Sequence, residues 1–437
     1  MSAVSKSAQI FFYADDFTGA TDTLATAARA GLRTVLFLGV PNDAQRARVG
    51  ALDCLGIAGA ARSMGNDAMR AELAPVAALA KRLAPRVLHY KTCSTFDSAP
   101  EVGSIGVAVD ALRGAASQTW IAIVGGQPNL GRYCLFGNLF AAAGSGGEVF
   151  RIDRHPTMSV HPVTPMHEAD LRRHLAQQGI EPIGLVPWTL YGDGAEAIAA
   201  RLAALRSGGA RAVLWDVAEA GDLGTIGQAL WRNAAQAPLL AVGPSSVTEA
   251  IARSMPARPA TVPDRIEAAR GPVLVLAGSL SPVTARQVEG ATSYDIVRLD
   301  APRLVEADGL YRASAARDLA AMLAAGRHVL ACTVSDGGSP AQVPARELAR
   351  CCGLLLAQTL AAAPVLRLGI AGGDTSSLGV RALDAWGLSY AGLVAPGAPL
   401  CRLHSESRSL DGMEVMLKGG QMGGEDLFER LVHGTGE

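Results

Sequence analysis

Short apolar runs alternate along the chain with longer stretches whose apolar positions recur every three to four residues, a pattern that predicts parallel strands joined by crossover helices. In the first half, the runs at residues 10–13, 34–38, 87–90 and 120–124 predict strands, and helices are expected at 21–30 and 67–82. Further runs at 183–186, 212–215 and 239–242 extend the series. The pattern restarts after residue 271, with strands expected at 273–277, 297–299, 328–332 and 365–370. The uncharged run 351–366 is interrupted by Gln358 and Pro364 and is shorter than the roughly 20 residues of a membrane span, so it predicts a buried helix followed by a strand. The fold class is α/β, built on mainly parallel sheets flanked by helices.

At about 150 residues per domain, a chain of 437 residues holds two or three domains. The stretch 249–271 carries Pro256, Pro259 and Pro263 and is the best linker, which divides the chain into domains 1–250 and 271–437. Lys and Arg number 39 against 40 Asp and Glu, a net charge of −1, so no overall basic field exists for a nucleic acid or an anionic membrane. Apolar residues make up 49% but aromatic ones only 5%, so the core is aliphatic and global disorder is excluded. The first nine residues lack the basic and apolar regions of a signal peptide, which leads to the expectation of a cytoplasmic address. Seven cysteines without a C-x-x-C read as buried thiols. His155, His161 and His167 lie among Pro156, Pro162 and Pro165 in what reads as a loop, and no protein metal ligand is assigned.

Chemistry concentrates at predicted strand ends, where open α/β sheets bind ligands. Tyr13-Ala-Asp-Asp-Phe-Thr-Gly-Ala-Thr-Asp22 follows a strand and opens a helix. There Asp15 and Asp16 can accept hydrogen bonds from sugar hydroxyls or take a proton, and Thr18 and Gly19 permit close approach; equally, Asp16 or Thr18 can be a helix cap. Lys91-Thr-Cys-Ser-Thr-Phe-Asp-Ser98 follows another strand. It offers Lys91 to a carboxylate and Ser94, Thr95 and Asp97 to hydroxyls, or it is an ordinary polar turn. Two such clusters at two strand ends favour a site. Residues 151–170, with Arg154, His155, Thr164 and His167, are a third polar segment able to close over the same pocket.

The second half contains Ala277-Gly-Ser-Leu-Ser-Pro-Val-Thr284 and, after another strand, Ala371-Gly-Gly-Asp-Thr-Ser-Ser377, which opens a helix expected to run to about Trp386. Ser279 and Ser281 supply hydroxyl and backbone donors, while Gly372, Gly373 and Thr375 offer a helix start to a phosphate. Asp374 can act as a base, hold magnesium through water, or cap the helix. Met416-Leu-Lys-Gly-Gly-Gln-Met-Gly-Gly-Glu-Asp426 ends a strand with Lys418 and a glycine-rich turn around Gly420. Neither a P-loop nor a G-x-G-x-x-G after a strand is present.

Taken in order, these five segments resemble the four-carbon acid sugar kinase family over nearly the whole chain. The resemblance implies two α/β domains, an N-terminal one for the sugar acid and a C-terminal one for ATP, with the active site in the interdomain cleft. It places Asp15, Asp16, Lys91, Ser94, Thr95 and Asp97 on the acid, and Ser279, Ser281, Gly372, Gly373, Asp374, Thr375 and Gly420 on ATP. It implies ATP and Mg²⁺ as cofactors and transfer of the γ-phosphoryl to a terminal hydroxyl of 3-oxo-tetronate, threonate, erythronate or 3-oxo-isoapionate. Asp374, ahead of Asp16, is the expected base. Since net charge is near zero, the anionic ligands are expected to be held locally, by Lys91, Lys418, magnesium and helix starts. The partners are the acid and ATP, with no nucleic acid and no membrane; a homo-oligomer stays open. So do an NAD(P)-dependent dehydrogenase and a non-catalytic sensor, although the first lacks its fingerprint and the second a basic recognition helix.

Overall fold

A computed structural model describes residues 8–144, 146–256, 259, 264–278, 281–334, 343–420 and 422–436. The chain divides into two compact units, residues 1–261 and 262–437.

In the first unit the strands are β1 (Ile10–Ala14), β2 (Thr34–Phe37), β3 (Cys54–Ala58), β4 (Val87–Lys91), β5 (Ile121–Val124), β6 (Arg132–Leu135), β7 (Asn138–Ala142), β8 (Val149–Arg151), β9 (Ile183–Val186), β10 (Ala212–Trp215) and β11 (Leu239–Gly243). Eight of them form a sheet in the order β2-β3-β1-β4-β11-β5-β10-β9, parallel throughout. Helices cover the faces, so a central strand such as β1, Ile-Phe-Phe-Tyr-Ala, is buried at every position and reads as a continuous apolar run. From β1 the helix Phe17–Arg29 leads to β2 on one side, whereas from β4 the helix Ile105–Arg113 leads to β5 on the other. The carboxyl ends of β1 and β4 therefore flank a topological switch point, where such sheets open a crevice.

β6, β7 and β8 form a separate antiparallel sheet. Phe136 and Gly137 turn β6 into β7 with φ of 51° and 83°, the two left-handed positions that a two-residue hairpin loop matched to strand twist requires.

The second unit contains β12 (Val273–Ala277), β13 (Asp295–Asp300), β14 (Val329–Val334), β15 (Arg367–Ala371), β16 (Ala385–Ala395), β17 (Ala398–Ser405) and β18 (Glu414–Lys418). Their order is β13-β14-β12-β15-β18-β17-β16, parallel from β13 to β18 and antiparallel across β17 and β16. Val273, Val275, Leu330, Met416, Phe428 and Leu431 lie in one buried cluster against this sheet. No helix among the described residues is long and apolar enough to cross a membrane.

Several elements differ from the sequence pattern. β3 is not predicted by the pattern, because Cys-Leu-Gly-Ile-Ala has a glycine at its centre and lacks β-branched density. The first helix starts at Phe17, four residues early, because Asp16 caps it. The helix Ala345–Ala362 begins upstream of the apolar run in a charged first turn, and β15 waits until Arg367, after Pro364. The helix after Gly372 ends at Ala382 and Trp386 belongs to β16; Asp384, at φ 52°, makes the reversal between them. The helix Ser246–Arg253 runs into the stretch read as linker.

Candidate active site

The carboxyl ends of β1 and β4 bring Asp15, Asp16 and Lys91 together. Asp15 is 2% exposed, and its Oδ1 accepts a hydrogen bond of 2.9 Å from Arg62 Nη2 while Oδ2 accepts one of 3.2 Å from the Thr92 hydroxyl. Asp16 Oδ1 is shared by three donors: the Gly19 amide at 3.1 Å, Lys91 Nζ at 3.1 Å and Arg62 Nη2 at 2.9 Å. Asp16 is thus both the cap of the helix Phe17–Arg29 and a member of the charged cluster, so the two readings of this residue hold at once. Gly19 is required by close approach: a Cβ there would stand 1.4 Å from Lys91 Nζ and 2.5 Å from Asp16 Oδ1.

Two carboxyls and two cations in so small a volume separate in proton affinity. Burial works against a charged Asp16, but Arg62, Lys91 and the hydrogen bonds from Lys91 and Gly19 outweigh it and hold its carboxyl well below the usual range. For Asp15 burial wins over Arg62 and Lys91, and the neighbouring Asp16 charge adds to the rise. Burial alone would lower Lys91; Asp16 and Asp15 more than restore it, and the ammonium holds its proton more tightly than a free lysine.

Arg62 is the residue that the sequence pattern did not expose. It sits in the short helix Ala61–Ser63 directly after β3, and once that strand goes unread the turn Gly59-Ala-Ala-Arg62 has no strand end to belong to. The signal was present as a small-residue turn after a five-residue apolar run.

In the loop after β4, the Thr95 hydroxyl donates to Asp97 Oδ1 at 2.5 Å, and the Thr164 hydroxyl reaches Asp97 Oδ2 at 3.5 Å. The 151–170 segment is thereby fastened to this loop. Asp97, 4% exposed, thus orders Thr95 and Thr164 beside it, and Ser94 is also buried. Ser98 and His174 complete the support: the Gln178 side-chain amide donates to Ser98 Oγ at 2.8 Å, and His174 Nε2 lies 3.1 Å from the Phe96 carbonyl.

In the second unit, the ends of β12, β15 and β18 hold the glycine-rich turns together. The Gly278 amide donates to the Ala371 carbonyl at 3.2 Å and the Gly372 amide to the Lys418 carbonyl at 3.0 Å. Gly372 has φ 116°, a conformation that favours glycine, and it opens the helix Gly373–Ala382 with no side-chain cap. The first-turn amides of Gly373, Asp374 and Thr375 are therefore not taken by a cap, an arrangement suited to a phosphate. Gly278 leaves room for Thr375, whose hydroxyl would lie 2.3 Å from a Cβ at 278. Ser281 caps the helix Pro282–Glu289, and its hydroxyl and that of Thr284 both donate to the Gly420 carbonyl. Ser279 and the side chain of Asp374 lie outside the described residues.

Lys418 corrects an expectation. It is 1% exposed, and its ammonium donates to Thr284 Oγ1 at 2.8 Å and Gln287 Oε1 at 2.6 Å, which makes it an internal brace and not a surface cation for phosphate. Burial pulls its pKa down to about 8. Gln287 in turn donates to the carbonyls of Met422, Gly423 and Gly424, so the lysine orders the glycine-rich turn through the helix beside it.

The architecture and these turns define an α/β protein with one polar cluster suited to a hydroxylated ligand and another suited to an anion. Residues 10–251 match a family model described as a sugar-binding N-terminal domain, and residues 274–428 match one described as a nucleotide-binding C-terminal domain. The chain belongs to the four-carbon acid sugar kinase family. It is 37% identical over 450 residues to a 3-oxo-isoapionate kinase of Paraburkholderia graminis, covering 97% of this chain and 94% of the relative. It is 33% identical to a 3-oxo-tetronate kinase of Methylobacterium radiotolerans, with 96% and 97% covered. A crystal structure of a Salmonella typhimurium LT2 protein superposes with a TM-score of 0.82 at 25% identity, covering 97% of this chain and 98% of that one. A Haemophilus influenzae protein of the same fold gives 0.75 at 24% identity, with 96% and 98% covered.

Proposed function

We propose that the protein is an ATP-dependent kinase that phosphorylates the terminal hydroxyl of a four-carbon acid sugar or close relative, with 3-oxo-tetronate, threonate, erythronate and 3-oxo-isoapionate as candidate acceptors. One observation carries this reading: relatives named as kinases of two such acids align with nearly the entire chain, across both the sugar-binding and the nucleotide-binding family domains. The cluster at Asp15, Asp16 and Lys91 is the acid-binding end, within a domain spanning 1–250. Gly372, Gly373, Thr375, Ser281, Gly420 and Ser279 form the ATP end, within 271–437. A cytoplasmic address goes with this reading, because the reaction draws on ATP.

Transfer joins the acceptor hydroxyl oxygen to the γ-phosphorus and breaks the bond from that phosphorus to the β,γ-bridging oxygen; ADP leaves and a carboxylate takes the hydroxyl proton. The chain contributes alignment and donors. The amides that open the helix Gly373–Ala382 hold phosphate oxygens, and the Asp16 cluster orients the acceptor. We assign the base to Asp374, at the start of that helix, ahead of Asp16, whose Oδ1 already accepts from three donors and whose proton affinity is low.

Among the described residues no group of three or more His, Cys, Asp or Glu side chains is placed to hold a metal ion. In this reading Mg²⁺ is an ion carried on ATP phosphates and water. It would supply charge neutralisation there.

The test is ADP release, with and without magnesium, over the four acids, together with mass-spectrometric detection of a phosphate monoester. The expected result is release with at least one acid, and a loss of about 100-fold or more in kcat for Asp374→Asn. Absence of release with every acid overturns the kinase reading. Near-normal turnover in both Asp374→Asn and Asp16→Asn overturns the assigned mechanism.

A further inference from the structure

A sugar acid brings a carboxylate that needs a cation, and the cations first expected to supply it are already engaged. Lys91 pairs with Asp16 at 3.1 Å, and Arg62 Nη2 lies 2.9 Å from both Asp15 Oδ1 and Asp16 Oδ1. An incoming carboxylate would have to displace one of these partners and would meet two like charges. A different cation nearby has no such partner. Arg132 opens β6, beyond the turn that follows β5, and none of the ion pairs among the described residues includes it.

The guanidinium of Arg132 is under-satisfied. It donates through Nη1 to the Leu130 carbonyl, while its Nε is buried with no hydrogen-bond partner among the described residues. A buried donor left unpaired costs free energy, and on a guanidinium the natural complement is a carboxylate, whose two oxygens match the fork of N–H groups.

Its backbone is fixed. The Gln127 amide donates to the Arg132 carbonyl at 2.9 Å and the Arg132 amide to the Gln127 carbonyl at 3.2 Å. The Gln127 side chain, 2% exposed, donates in turn to Asp22 Oδ2 at 3.0 Å, on the helix that Asp16 caps. Arg132 is thus tied to the element that carries the acid cluster.

It also stands at the same edge of the sheet. β5 is separated from β4 only by β11 and runs parallel to both, so the turn from β5 to Arg132 leaves the carboxyl edge at which Lys91 ends β4. Cys93, two residues beyond Lys91, is an electrostatic neighbour both of Arg132 and of Asp16. Burial lowers the proton affinity of Arg132, the direction expected of a desolvated cation that lacks an anion.

We propose that Arg132 receives the carboxylate of the acid substrate and sets the preference for acids over uncharged polyhydroxy compounds, leaving Lys91, Arg62 and Asp16 to the hydroxyl-bearing part. This rests on the kinase reading above. With the carboxylate anchored at one end of a four-carbon chain, the terminal hydroxyl is presented at the other.

The experiment uses the full chain, with Arg132→Met and Arg132→Lys beside the wild type. ADP release is measured against the acid that the wild type accepts and against the primary amide of the same acid, which keeps the hydroxyls and loses the charge. In Arg132→Met the KM for the acid is expected to rise at least about 30-fold, with the KM for ATP little changed and the preference for acid over amide lost. Arg132→Lys keeps the charge without the fork and is expected to fall between; it serves as the measurement if the methionine variant does not fold. An unchanged acid KM and an intact preference for acid over amide in either folded variant overturn the proposal. A wild type that releases ADP with no acid overturns the kinase reading instead.

Discussion

At the scale of single residues, the acid cluster depends on an atom that is absent. Gly19 leaves the space in which Lys91 reaches Asp16, and alanine there would put Cβ inside the ammonium position. Lys91 is only 4% exposed and has little room to swing aside. Gly19→Ala is expected to lower kcat/KM for the acid by about 30-fold or more, the cost of parting a buried charge pair, while the KM for ATP stays within about threefold. Steady-state kinetics with each substrate varied in turn checks this, and an equal effect on both substrates would contradict it. Asp15, Asp16 and Lys91 were legible from the sequence because polar residues at the ends of apolar runs stand out. Their pairing was not: the sequence reading offered Lys91 to a ligand, and the fold adds its ion pair with Asp16 at 3.1 Å. Arg62, 47 positions from Asp15 along the chain, is joined to it only through the sheet.

At the scale of elements, His89 joins β4, β11 and the helix Ser246–Arg253. Its Nε2 lies 2.9 Å from the Gly243 carbonyl, which can only accept, so Nε2 carries the proton and Nδ1 accepts from the Thr248 hydroxyl at 3.0 Å. Burial in the sheet pulls its pKa down to about 3. The unfolded chain, with histidine near its ordinary value of about 6.5, binds the extra proton between those two values. The stabilisation is therefore complete above about pH 6.5 and is lost as pH falls toward 3, by up to about 1.4 kcal/mol per pH unit. His89→Gln, whose amide can donate and accept at the same two places but does not titrate, is expected to flatten the pH dependence of urea unfolding between about pH 6.5 and 4 by close to one proton. An unchanged slope would show that His89 is not the group responsible. Strongly apolar strands such as β1, β5 and β12 were legible because every position carries an apolar side chain with no glycine to interrupt the run. β3, β16 and β17 were less so: a strand of small residues and an antiparallel pair with glycine and serine in it owe their state to neighbouring strands rather than to their own pattern.

At the scale of the whole molecule, the residues assigned to the acid all lie in the unit 1–261 and those assigned to ATP all lie in 262–437. Each ligand is therefore expected to stabilise the full-length protein without the other: acid alone, or a non-hydrolysable ATP analogue alone, at about 100 times its Kd contributes about 2.7 kcal/mol and raises the melting temperature by a few degrees. Thermal melts with each ligand separately check this, and stabilisation by acid only in the presence of nucleotide would contradict it. The sequence by itself determined the α/β class, the two halves and most strand ends that carry polar residues, because these follow from periodicity and from the punctuation of Gly, Pro and Asp within short windows. Only the tertiary structure decided how the charges are spent: Lys91 and Arg62 on Asp15 and Asp16, Lys418 on Thr284 and Gln287, with Arg132 in no ion pair among the described residues. Charge compensation acts through space between residues tens of positions apart, and a window that slides along the chain never brings them into the same view.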